Sequence, residues 1–237
     1  MGGQRGRWWS FLTGGRRESA IPVLRTDRLE LRVPQAADFA EWARMRRASR
    51  AFLQPWEPEW PRDHLSQRSF RRRVRWSRVE AEGGRSLSFL IFTRAPRRMV
   101  GGITLSNIRR GPSQCGTLGY WIGEDHARHG YMTEATEAVV RHAFDAEGLT
   151  RLEAACLEEN AASRALLSAC GFRFEGVARS YLEVNGAVRD HMLFARVGGD
   201  SDDQRGCAEP SPSSSDVKKM NGDIGTGHPS NDESSAQ

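Results

Sequence analysis

The chain has 237 residues, 38% of them hydrophobic and 27% charged, with a formal net charge of +5 and a mean hydropathy of −0.61. That length suits one sizeable core rather than two, and with no run of 18 or more apolar residues a membrane-spanning helix is not expected. A sequence pI of about 9.4 favours association with polyanions, whether nucleic acid, ribosome or a highly phosphorylated cofactor, without choosing among them.

The opening "MGGQRGRWWSFLTGGRRESA" has an apolar patch too short for a signal-peptide core, and no small-residue cleavage site follows it. Gly6 stands where N-myristoylation needs Ser or Thr, and Arg16-Arg17 leads into no hydrophobic stretch. A cytoplasmic location is expected. Residues 1–22 read as a poorly ordered extension whose Trp8, Trp9, Phe11 and Leu12 could dock on the surface. A single domain is predicted over 23–197. "RLELRV" alternates Leu29, Leu31 and Val33 with charge, the period of a half-buried strand. A helix is predicted from Asp38 through Phe39, Trp42 and Met45, followed by the proline-punctuated loop "PWEPEWP" (55–61). Segment 66–82 reads as a second helix, with Phe70 and Val74 four apart among arginines.

Runs 86–93, 99–107 and 115–123 read as an antiparallel meander. Then come a helix over 131–146, a strand over 151–157, a helix over 161–170, a strand over 172–178 and a last strand from about Val188. The order βααβββαβαββ predicts an α/β fold with a mixed, largely antiparallel sheet of about seven strands and about four helices. Residues 198–237 contain no Phe, Trp or Tyr and are dominated by Ser, Gly, Asp and Pro, so they read as a disordered tail.

In "ARHGYMTEA" a strand ends, a few polar residues pass, and a helix opens near Tyr131. First-turn N–H groups lack helical partners and the dipole adds positive character there. Gly130 leaves the backbone approachable, and Arg128 and His129 add cationic character, so the segment can form an anion pocket. It can equally be an ordinary turn. Neither the dinucleotide fingerprint nor the Walker pattern is present. In "EENAASRALLSACGF", Asn160 reads as an N-cap and Gly171-Phe172 as a C-terminal cap. Packing leaves the Ser163 hydroxyl unexplained; it could donate to a thiolate or an amide. Cys115, Cys156, Cys170 and Cys207 are scattered, with no metal-ligand spacing, and HExxH is absent, so no metal is expected.

Together "LRTDRLELR", "FLQPWEPEWP", "VGGITLSNIRRG", "TLGYWIG", "ARHGYMTEA", "NAASRALLSACGFRFEGVARSYL" and "NGAVRDHMLFA" resemble the GCN5-related N-acetyltransferase (GNAT) superfamily, in particular its RimJ/RimL branch of ribosomal-protein-alanine acetyltransferases. The match runs in family order from about Leu24 to Val197. The resemblance implies acetyl-CoA as cosubstrate, its pyrophosphate on the backbone of Arg128, His129, Gly130, Tyr131, Met132 and Thr133. Two positions depart from the family pattern: Ala127 stands at its Gln/Arg position and Met132 at its last small one. It also implies that the fourth and fifth strands splay, with pantetheine along Tyr120, Trp121, Ile122 and Gly123, Ala155–Leu157 opposite, and Asn160 and Ser163 near the thioester.

Direct transfer needs a neutral amine, a stabilised oxyanion and a proton for the departing thiolate. A protein α-amine, with a pKa of about 7.7–8.0, needs less help than a lysine at about 10.4. The resemblance offers Ser163 or Tyr181 for the proton and a backbone N–H near Ile122 for the oxyanion. A base shortly after the "GF" falls on Leu182; Glu183, one residue on, faces the other way on a strand. Trp56, Glu57 and Trp60 are placed on the acceptor side, with Glu57 and Glu59 as alternative carboxylates. The acceptor is expected to be a protein N-terminal amine, plausibly alanine of a ribosomal protein. A small amine (antibiotic, polyamine or amino acid) is the alternative substrate. Arg71, Arg72, Arg73, Arg75 and Arg78 raise a reading of another class, a noncatalytic ribosome- or nucleic-acid-binding module, against that of a solvated helix face. A noncatalytic acyl-CoA sensor is a third reading. Monomer and homodimer both stay open.

Overall fold

The computed structural model describes residues 21–199. Most of the N-terminal extension, with Trp8, Trp9, Phe11 and Leu12, and nearly all of the Ser-rich tail, with Cys207, lie outside the described residues. A two-residue strand, β1 (Leu24–Arg25), pairs with β2 (Leu29–Arg32). Three helices follow: α1 (Phe39–Ala48), the single turn α2 (Arg50–Leu53) and α3 (Gln67–Glu82). The meander is β3 (Leu87–Thr93), β4 (Met99–Arg109) and β5 (Cys115–Ile122). Then come α4 (Tyr131–Arg141), β6 (Arg151–Cys156), α5 (Ala161–Ala169) and the hairpin of β7 (Arg173–Val184) with β8 (Ala187–Val197).

The eight strands form one sheet in the order β1-β2-β3-β4-β5-β6-β8-β7. Every pairing is antiparallel except β5 with β6. The expected architecture is present, with two additions. β1 is too short to leave a periodic trace in the sequence, and α2 is one turn between α1 and the proline loop. β7 also runs past the expected 178 to Val184, across a register break between Ala178 and Leu182.

Strand alternation divides the core into two layers. Leu87, Phe89 and Ile91 of β3 face α4 and α5, packing with Met132, Ala135, Val139 and Leu167. Leu90 and Phe92 face the other way and, with Met99, meet Trp42 and Ala43 of α1 and Phe70 of α3. Phe70 is fully buried and its ring lies 4.8 Å from that of Trp42. Truncating it to Ala is expected to cost about 3–5 kcal/mol.

The feature that matters most for function is where β5 and β6 part. Their pairing runs only from Cys115 opposite Arg151 to Leu118 opposite Ala154. Beyond it β5 stays on β4 as far as Ile122, and β6 stays on β8 as far as Cys156. The sheet therefore opens as a V between 119–122 and 155–156, where the fourth and fifth main strands were expected to splay.

Candidate active site

The loop from β5 to α4 turns on two left-handed residues, Arg128 at φ 63° and Gly130 at φ 75°. Gly130 is the N-cap of α4, and a Cβ there would lie 3.4 Å from the Arg28 guanidinium. Such a sequence of turns aims successive backbone N–H groups into one concavity, and the first turn of α4 adds its own unpartnered donors. Arg28, from the turn before β2, braces the loop. Its Nη1 donates to the carbonyl of His129 at 3.1 Å, its Nε meets Glu134 at 2.6 Å, and its guanidinium lies 4.9 Å over the Tyr131 ring. Thr26 also donates to Glu134. Burial alone would push the Glu134 carboxyl up, but the bonds from Thr26 and Arg28 outweigh it and hold it below the usual carboxylate range. Arg28 and Glu134 are site supports that the sequence reading did not single out.

The expected loop residues are thus gathered at one place, in different ways. His129 stacks on Tyr131 with ring centroids 5.7 Å apart. Arg128 is exposed, with no side-chain partner among the described residues. The Met132 side chain is buried in the core, so only its backbone is available to a ligand; this accommodates a large residue where the family pattern has a small one. Beside the loop, Arg44, Arg97 and Arg98 stand around a hollow of about 940 Å³ that Glu41, Asp125, His126 and His129 also line. Burial lowers the His126 pKa, so the arginines supply the hollow's positive charge, against two carboxylates.

At the V itself, Tyr120 and Trp121 diverge. Tyr120 packs with the α4/α5 layer, and its hydroxyl meets Ser163 Oγ at 2.6 Å. The Ser163 hydroxyl, expected to be free, is therefore engaged. Its position follows from the cap, since Asn160 Oδ1 accepts Ser163 N–H at 3.0 Å. Burial pushes the Tyr120 phenol well above its ordinary pKa, against the lowering effect of the Ser163 bond. Burial likewise pushes the Cys156 thiol up. Both groups stay protonated at neutral pH. Trp121 points into the α1/α3 layer, its indole against Gly102, where a Cβ would come within 2.5 Å of Nε1. Trp121 thus presents only backbone to the V. Gly123 N–H donates to Val100 O at 2.9 Å, on the β4 side. Successive strand N–H groups point to opposite edges, so that of Ile122 is turned into the V.

On the α1/α3 side the proline loop is pinned from two directions. Arg46, buried to 5% exposure, grips the Glu57 carboxylate with both Nη atoms, at 2.7 Å on one side. Its guanidinium lies 4.4 Å over the Trp60 ring and 4.8 Å over Trp121. Trp60 Nε1 donates to Glu57 Oε2 at 2.8 Å, and His64 stacks on Trp60 at 4.6 Å. Burial, then Arg46 and Arg73, pull the His64 pKa down from 6.5 to about 4. From the other direction the β7–β8 turn reaches over: Asn185 N–H donates to Glu57 O at 2.9 Å. Glu57 is therefore engaged as the counter-ion of Arg46, whereas Glu59 and Trp56 are exposed. Tyr181 is 48% exposed at the register break of β7, edge-on to the buried His191, and among the described residues no hydrogen bond or ring contact links it to Ser163. Among the described residues no group of three or more His, Cys, Asp or Glu is placed to hold a metal.

Backbone donors at a helix start, opening onto a parted pair of strands with a hydroxyl pair at the mouth, suit a cosubstrate with phosphates at one end and an extended amide-bearing arm. Fold and site together fit the class of coenzyme A-dependent acyltransferases. The comparisons narrow this: the acetyltransferase (GNAT) domain family matches residues 28–173, and the chain belongs to that family, with acetyl-CoA as its cosubstrate. It is 32% identical over 179 residues to the [ribosomal protein uS5]-alanine N-acetyltransferase of Escherichia coli (strain K12), covering 75% of this chain and 92% of that protein. Among solved structures, RimJ of Mycobacterium smegmatis in complex with CoA-disulfide is 34% identical with a TM-score of 0.70, covering 78% of this chain and 90% of that one. The ribosomal-protein-S5-alanine acetyltransferase of Vibrio fischeri is 26% identical with a TM-score of 0.70, covering 76% and 98%.

Proposed function

We propose that the protein transfers acetyl from acetyl-CoA to the N-terminal α-amine of a ribosomal protein, with alanine as the acceptor residue. The observation that carries this reading is the state of the acceptor loop. Trp60 is consumed in the stack with Arg46, and Trp56 stays 38% exposed, so the two tryptophans form no aromatic lid of the kind a small amine needs. A chain end fits such a site, and the alanine-specific relative, aligned over most of both chains, agrees with it. The cytoplasm, where ribosomes are assembled, is the compartment this reading requires; among the described residues no helix is long and apolar enough to cross a membrane.

The cosubstrate supplies an activated acyl group whose carbonyl the amine attacks, releasing a thiolate. The chain's residues supply the rest. The loop from Arg128 to Thr133 anchors phosphates by backbone donors. Ile122 N–H stands where an oxyanion needs a donor. Ser163 is the proton source for the thiolate, with Tyr120 behind it as the second link through their 2.6 Å hydrogen bond. Tyr181 is a less direct candidate, exposed as it is on β7. An α-amine with a pKa of about 7.7–8.0 is partly neutral at physiological pH, so a water chain suffices to remove its proton.

The test is intact-mass spectrometry of ribosomal proteins incubated with the full chain and acetyl-CoA. One protein should gain the mass of a single acetyl group on its N-terminal residue. Acetyl-CoA bound with no ribosomal protein modified would transfer the assignment to a small amine.

A further inference from the structure

The outer face of α3 has no part in the chemistry described above, and its composition is unusual. Helical spacing places Arg68, Arg72 and Trp76 in one row and Arg71, Arg75 and Val79 in the next, with Arg78 beside them. Phe70, Ser77 and Ala81 face inward. Arg68, Arg71, Arg75 and Arg78 are exposed and take part in no side-chain hydrogen bond or ion pair among the described residues. Arg72 makes only an exposed pair with Asp63 at 3.2 Å. Arg73, grouped with them in the sequence reading, does not belong: its guanidinium turns back to lie 5.5 Å over Trp42. Amid this charge Trp76 is 51% exposed and Val79 47%. Residues 39–82 hold eleven Arg against six Asp or Glu, an excess equal to the net charge of the whole chain.

Unpaired guanidiniums alone describe any solvated basic helix. An indole exposed among them adds a flat apolar face on which a partner ring can stack. Nucleobases offer that ring, phosphates offer the charge, and only unpaired nucleotides offer both at once. We infer that the Arg68–Val79 face of α3 is a docking surface for single-stranded or looped RNA, with Trp76 stacking on a base and Arg68, Arg71, Arg75 and Arg78 on the backbone. An acidic protein segment would satisfy the arginines and leave the indole without a stacking partner. The face spans about 16 Å along the helix, the reach of a few nucleotides.

The experiment is fluorescence anisotropy of a short labelled single-stranded RNA titrated with the full chain, beside a duplex of the same length. With four phosphates neutralised, the slope of log K against log salt should be about −3, a loss of about 50-fold between about 50 and 200 mM salt. Trp76→Ala should weaken single-strand binding about tenfold while Trp76→Phe retains most of it. Arg71→Ala with Arg75→Ala should flatten the slope by about 1.4. The same variants should acetylate a free N-terminal peptide at the unaltered rate, so failure of this inference and failure of the acetyltransferase assignment are read separately. Duplex bound as tightly as single strand, indifference to Trp76→Ala, or equal displacement by polyglutamate would each overturn it, the last in favour of an acidic protein partner.

Discussion

Consider Tyr120→Phe, which removes one oxygen and nothing else from the V. The hydroxyl lost is bonded to Ser163 Oγ at 2.6 Å, in a setting where burial holds the phenol protonated far above its ordinary pKa. If the pair delivers the thiolate's proton, the loss removes the general-acid contribution, about 10²–10³ in kcat out of the 10²–10⁴ typical of such groups. KM for acetyl-CoA should move less than about threefold, since the phosphate loop is untouched. Ser163→Ala should fall by a similar factor, and the double variant no further than the worse single one, because links of one relay do not add. The Tyr120 pKa also predicts a pH signature. No alkaline limb belonging to this acid should appear in kcat below about pH 10, because a phenol raised above its reference value stays protonated there. The assay is steady-state release of free thiol with a saturating N-terminal peptide. A decrease below fivefold in kcat, or two single effects that multiply in the double variant, would refute the relay and leave the thiolate to be protonated by water.

Glu57→Gln leaves Arg46 charged and buried between two indoles. Breaking such a pair costs about 3–5 kcal/mol, and the lower end applies because the Glu57 side chain is 21% exposed. A fall in Tm of about 6–12 °C by calorimetry is expected, with most of it recovered in Arg46→Met/Glu57→Leu. Gly130→Ala forces a φ of 75° on an L-residue and crowds Arg28; a loss of about 1–2 kcal/mol in stability should accompany weaker acetyl-CoA binding by isothermal titration, with kcat at saturation retained. His64 is held neutral by a pKa of about 4 against 6.5 in the unfolded chain. Its contribution is fully present above pH 6.5 and is lost as pH falls towards 4, because the unfolded state binds the proton first. With solvent screening of a partly exposed ring, about 2 kcal/mol should be lost over that window. Urea unfolding of the wild type and His64→Gln at a series of pH values should converge on the acid side by that amount.

What the sequence disclosed was whatever local chemistry imposes. Leu29 and Leu31 alternate because one face of β2 is buried, Phe70 and Val74 recur because α3 lies on the sheet, and Asn160 announces a cap three residues from the N–H it serves. The phosphate loop was legible for the same reason, since Gly130 and the helix behind it are neighbours in the chain. The supports of the site were not. Glu134 lies 106 residues from Arg28, and Ser163 lies 43 from Tyr120. Polar side chains that meet across such separations leave no period to read. Ser163 therefore looked free and Arg28 looked ordinary. Arg46 and Glu57 are only eleven apart, yet the proline loop between them breaks any helical spacing that would have paired them. The side of β5 on which the Trp121 indole lies was likewise not legible, because strand alternation says only that it opposes Tyr120, not which layer each one meets.

The short pairing of β5 with β6 carries a mechanical consequence. Among the described residues, the backbone ladder that joins the β1–β5 wing to the β6–β8 wing is four residue pairs long. Past Leu118 and Ala154 the adjoining backbone edges offer ladder positions that the protein itself does not fill. The pantetheine arm proposed to lie along β5 would act there as a splint, continuing the hydrogen-bonded fabric across the seam. Saturation with cosubstrate should then slow amide exchange at 119–122 and 155–156 more than anywhere else, and each release of free coenzyme should loosen the seam again. On that proposal the enzyme would be stiffest when loaded and most pliant between turnovers, and its acceptor side, tied to the β7–β8 turn through Asn185 and Glu57, would share in that rhythm.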